Sequence, residues 1–197
     1  MSRFNGLLAT IVAVGLAVTP AGAEAQEQEG MTAADAAYMA AAAPGPQHAA
    51  MAAIEGSYRA EIKTWMDPTA DPVISTGKTE FKMILGGRYL VQHYAGSMMG
   101  QEFEGMGITA YDNLEKQYVS TWVDNMGTGI MVTKGNYDES GKVLTTMGEV
   151  IDPATGAPLT VKSVSPTISE DEHLFEMYMV VGGQEVKTLE ATYTRTM

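Results

Sequence analysis

His93 is the side chain best placed to do chemistry. It stands mid-run in Tyr89-Leu90-Val91-Gln92-His93-Tyr94, where a period-two reading sets Tyr89, Val91 and His93 on one inward face. A neutral imidazole in an apolar enclosure can ligate iron, so haem at His93 is an option. No haem-attachment motif accompanies it, and no cofactor is expected. The plainer reading is a histidine hydrogen-bonded to a neighbouring strand or to water. His48, beside a short helix, and His173, after Glu170-Asp171-Glu172, read as surface residues. The three histidines are too dispersed for metal-ligand spacing, so no metal site is expected.

The other reactive types give less. Methionine is abundant, at 15 residues, with Met177 and Met179 on one strand face and Met98-Met99 at a hairpin. Clustered thioethers bind Cu(I), but scattering over most of the strands favours the filling of an irregular, adaptable interior. Glu102, Glu104, Glu149, Glu176 and Glu190 do acid–base work only if two of them converge. There is no Gly-x-Ser-x-Gly elbow, and Gly105-Met106-Gly107 does not join a strand to a helix, which argues against a phosphate cradle. Cysteine is absent, which excludes disulfides, thiolate metal sites and a thiol nucleophile. No catalytic residue is assigned.

The segment that begins the sequence has the pattern of a secretory signal. Arg3 precedes an apolar run from Leu7 to Val18, and Pro20 leads into Ala21-Gly22-Ala23 and Ala23-Glu24-Ala25, both of A-x-A type. Residues 1–25 therefore read as a signal peptide, and the protein as exported to the periplasm or beyond. Its apolar run is too short to span a bilayer, so no membrane insertion is expected after cleavage. The formal net charge of -12 and the lack of a basic cluster speak against nucleic acid as a partner.

Residues 26–45 form an Ala-rich segment, flexible or helical. Thr32 and Asp35 resemble a capping box for a helix to Ala43, which Pro44-Gly45-Pro46 breaks. A second short helix is expected from Pro46 to about Ile54, with Ala50, Met51 and Ile54 on one face that plugs something larger. From Ser57 the pattern turns to period two, and residues 46–197 read as one barrel domain. Leu85-Gly86-Gly87-Arg88 and Val181-Gly182-Gly183-Gln184 offer hairpin turns with glycine at positive φ. About ten runs of strand length lie between short connections, so neighbours pair antiparallel. A flat meander would expose two edges, and closure removes both. The expected fold is all-β: a single antiparallel up-and-down barrel of about ten strands, one end plugged by the short helix.

Alternation names the inner faces. Tyr58, Ala60 and Ile62 oppose Arg59, Glu61 and Lys63; Leu189, Ala191 and Tyr193 share a side, with Arg195 in phase. Gly105 and Gly107 predict a bend or a close backbone approach. The candidate cavity lining is Tyr58, Arg88, His93 and Tyr111, with Trp122, Tyr178, Tyr193 and Arg195. Such a half-polar interior suits one small, mainly apolar ligand, bound without catalysis. The alternatives are an envelope structural or interaction protein with a filled barrel, and a cavity enzyme.

Two resemblances follow from these residues. Gly56-Ser57-Tyr58 entering the first strand, with Arg195 in phase on the last, resembles the calycin superfamily of lipocalins and fatty-acid-binding proteins. There a Gly-x-Trp is covered by a basic side chain at the closed end; here Tyr58 stands for the indole. The run from Pro44 onward is also similar to a bacterial family of secreted proteins known only as a domain of unknown function. The matching pieces include Pro44-Gly45-Pro46-Gln47-His48, Trp65-Met66-Asp67-Pro68, Leu85-Gly86-Gly87-Arg88-Tyr89, Thr121-Trp122-Val123-Asp124 and His173-Leu174-Phe175-Glu176-Met177-Tyr178. This second resemblance implies a calycin-like barrel and carries no known activity.

Overall fold

A computed structural model describes residues 31–196; the expected signal peptide lies outside the described residues. Two short helices, α1 (Ala33–Ala42) and α2 (Pro46–Ala52), precede ten strands. These are β1 (Gly56–Thr64), β2 (Val73–Ile84), β3 (Tyr89–Met98), β4 (Gln101–Asp112), β5 (Gln117–Asp124), β6 (Met131–Tyr137), β7 (Val143–Ile151), β8 (Pro158–Pro166), β9 (Glu172–Val181) and β10 (Gln184–Arg195). Each strand pairs antiparallel with its neighbours in sequence, and β1 pairs with β10 to close the barrel. The expected all-β up-and-down barrel is therefore the fold.

The inner faces of β1 and β10 follow the alternation. Tyr58, Ala60 and Ile62 are buried while Arg59 and Glu61 are exposed. Across the seam Ala60 pairs with Tyr193 and Ile62 with Ala191. On the outer wall Glu190 accepts from Lys63 at 2.9 Å and from Lys187 at 3.0 Å, bracing the same seam. At exposures of 34%, 29% and 19% such pairs contribute little individually; strand pairing and apolar burial hold the closure.

At one end of the barrel α2 packs on β2, β3 and β4. Thr32 and Asp35 form the expected capping box at the start of α1. No residue of α1 is buried. Its last turn is nevertheless held, because Asn113 donates to the carbonyls of Ala41 and Ala43 and Arg88 to that of Ala42. Pro46 starts α2 as expected. The buried face differs: Ala50 is exposed, and His48 and Met51 are buried. His48 is thus no surface residue. Its Nδ1 accepts the backbone N–H of Gly45, and its ring meets Tyr111 edge-on. Below α2, Met51 packs with Leu90 and Tyr118 as a floor.

Arg195 locks this end. Its guanidinium carbon lies 4.7 Å from the Tyr58 ring centre. Its Nη1 donates to the Glu55 carbonyl and Nη2 to that of Ala53. Those carbonyls belong to the chain leaving α2, so the guanidinium satisfies acceptors that a helix end leaves unpaired. Gly56 is required there, since a Cβ would meet Arg195 Nη1 at 2.3 Å and φ is +141°. The Tyr58 hydroxyl donates to the Ile54 carbonyl and sits 3.3 Å from His173 Nε2. His173, expected on the surface, is thus turned inward beneath the plug.

Arg195→Met keeps the bulk but loses the cation–π contact and the carbonyl bonds. It should cost about 2–4 kcal/mol, a Tm fall of about 5–12 °C by thermal denaturation. The same end responds to acid. His48 and His173 are both held below the usual 6.5, first by burial and then by the nearby Arg88 and Arg195 respectively. The unfolded chain therefore binds more protons below 6.5, and stability falls as pH drops through that value. The carboxylates that are lowered titrate below 4.5. Tm measured between pH 7.5 and about 5 should decline, and His173→Gln should flatten the decline.

Candidate functional site

Between the floor and the opposite end the barrel is hollow. The cavity has a volume of about 970 Å³, at the upper end of the range for small-molecule sites. It opens between the β1–β2, β5–β6 and β7–β8 connections, where Met66, Met126, Ile130 and Ile151 stand exposed at the mouth. This mouth lies at the opposite end from α2.

The walls differ. On β9, β10 and β1 to β3 the cavity meets Phe175, Met177, Leu189, Ile62, Phe81 and Leu90. On β4 to β8 a row of hydroxyls faces inward at mid-height. Strand register places Thr109 opposite Ser120, Ser120 opposite Thr133, and Thr146 opposite Ser163. Thr109 and Ser120 are hydrogen-bonded at 3.0 Å, and Thr146 donates to Thr133 at 2.9 Å. Deeper in, Gln92 donates to both Thr79 and Tyr193. Burial pushes the Tyr193 phenol up to about 12, so it remains a neutral hydroxyl.

Trp122 and Tyr193 of the expected lining reach the cavity. Tyr58 is buried at the closed end under Arg195, and Tyr111 packs against the floor. Arg88 sits in the β2–β3 turn, tied to α1 and to the Leu85 carbonyl. Tyr178 faces outward between Lys162 and Lys187. His93 requires a correction. Leu90, Gln92, Tyr94 and Met98 line the cavity, and His93 is exposed on the outer wall. The strand is flipped by one residue relative to the sequence reading, because both of its faces mix apolar and polar groups. His93 borders an outer depression of about 1270 Å³ crossed by Arg59, Lys78, Glu80 and Glu104, which is open along its length.

The acids also stay apart. Glu102 and Glu104 are exposed, Glu176 and Glu190 bind Lys187 on the outer wall, and Glu149 alone of the five reaches the mouth. Among the described residues no group of three or more His, Cys, Asp or Glu side chains gathers for a metal.

Missed in the sequence were Gln92, Tyr94, Phe81, Phe103 and Phe175. The usable signal was Gly105 and Gly107. They accommodate an indole, and Gly107 also a neighbouring backbone: a Cβ on Gly105 would run into the Trp122 ring, and one on Gly107 would meet that ring at 3.2 Å and the Thr121 carbonyl at 3.3 Å. The indole stacks on Phe103 at 6.5 Å between centres and donates Nε1 to Asp124 at 2.9 Å. That phase fixes Phe103 as inward. Gly105→Ala must push the indole into the cavity. We expect a loss of about 1–3 kcal/mol and a shifted tryptophan emission maximum, both readable in one fluorescence-monitored denaturation.

The structure resembles the crystal structure of Rv2717c from M. tuberculosis, with a TM-score of 0.56 at 17% identity. The match covers 79% of this chain and 100% of that one, a likeness of fold. No curated protein matches the sequence. The model of a family of unknown function, DUF1579, matches residues 43–195, from the last turn before α2 to the end of β10. With the whole barrel inside that match, the chain belongs to the DUF1579 family.

Proposed function

We propose that this protein is an exported carrier that binds one small, mainly apolar molecule inside the barrel and does no chemistry on it. The cavity of about 970 Å³, plugged at one end and open at the other, carries the reading. Aromatic and methionine side chains supply most of its apolar lining, and methionine adapts to guests of irregular shape. The Arg195–Tyr58 contact supports kinship with the lipocalin type of barrel, and the signal-like segment supports a periplasmic or extracellular location. A filled barrel serving as an envelope structural or interaction protein would need side chains where this space stands open. A guest of about 25 heavy atoms at about −0.3 kcal/mol per atom binds with a Kd of about 3 µM.

Native mass spectrometry and an absorption spectrum of protein taken gently from the exported fraction test this directly. A co-purifying mass released on denaturation is expected. Titration with N-phenyl-1-naphthylamine should quench Trp65 and Trp122, which both border the cavity. A clean apo mass together with no quenching overturns the carrier reading.

A further inference from the structure

We infer that the molecule held in the cavity is a neutral amphiphile whose oxygens run along one edge of an apolar body, as in a polyhydroxylated polycycle, and not an anionic lipid with a single charged head. This rests on the carrier reading above. Two observations support it independently.

The first is the hydroxyl row of Thr109, Ser120, Thr133, Thr146 and Ser163. It crosses five consecutive strands, and Thr133, Thr146 and Ser163 in it are buried. A hydrogen bond between two hydroxyls uses one proton, so each of the pairs Thr109–Ser120 and Thr146–Thr133 keeps a second proton and further lone pairs to offer. Buried polar groups call for partners. Several oxygens spaced along one edge of a guest would meet this row, whereas a single head group would meet one member of it.

The second is charge. Among the described residues no lysine or arginine lines the cavity, and its acids, Asp124 and Glu149, belong to the mouth half. A guest carboxylate or phosphate would have no cation inside and would pass carboxylates on the way in. Burying an unpaired charge is far costlier than burying a hydroxyl.

The test uses the full barrel protein and three probes, followed by tryptophan quenching and calorimetry. Methyl cholate is neutral with three hydroxyls on one face; methyl lithocholate keeps the skeleton with one hydroxyl; palmitate is an anionic single-chain lipid. Methyl cholate should bind about tenfold or more tighter than methyl lithocholate, and palmitate weakest. The paired variant Ser120→Ala/Ser163→Ala removes little volume and should reduce that preference by about threefold or more while leaving methyl lithocholate unchanged. Thr133→Val/Thr146→Val is a second route to the same loss, with Tm confirming the fold. Equal binding of the two esters, or tightest binding of palmitate, overturns the inference and leaves the carrier reading standing. Binding of none of the three probes, with no quenching by the naphthylamine, overturns both.

Discussion

Closure of the sheet is the constraint on which everything else depends. Ten strands that pair only with sequence neighbours leave two free edges unless β1 meets β10. Once they meet, every strand has a partner on both sides, and alternate side chains are committed to an interior. The number of strands then sets the diameter, and ten leave more room than side chains can fill. The cavity is therefore a consequence of the hydrogen-bond ladder rather than of any single lining residue.

The two ends of that cylinder solve different problems. At the closed end the chain must pass from a helix into β1 without leaving buried carbonyls unpaired. Arg195 does this from the far side of the seam, spanning Tyr58 and bonding to Ala53 and Glu55. Because one side chain from the last strand holds the plug that precedes the first, the lid and the seam are mechanically one unit. At the open end the Trp65 N–H donates to the Thr188 carbonyl across the seam, and the connections carry exposed methionine and isoleucine around the mouth. Between them, the interior carries its hydroxyl row on β4 to β8 and the Gln92–Tyr193 pair on the seam side.

Fold and seam were legible in the sequence because period two and turn chemistry are local signals. Tyr58, Ala60 and Ile62 alternate cleanly with charged residues, so their face could be read. The site was less legible. In β3 the residues Leu90, Gln92 and Tyr94 compete with Tyr89, Val91 and His93, and neither set is purely apolar, so nothing local decides which turns inward. Gln92 is inside because Thr79 and Tyr193, on other strands, bond to its amide. Likewise His48 and His173 become interior only through Gly45, Tyr111 and Tyr58. The hydroxyl row is invisible until register aligns it, since its members are about a dozen residues apart in sequence.

The seam also imposes an order in time. All pairings but one join neighbours and can form as soon as two adjacent strands exist. The exception brings together groups 140 positions apart, as in Arg195 and Glu55. Closing a loop of that length costs about 4 kcal/mol of chain entropy, and nothing offsets it until β10 is present. Until then the growing sheet keeps both edges unpaired and its inner face wet. A partly made chain is thus an open ribbon, and the cavity comes into being in one late step, together with its lid.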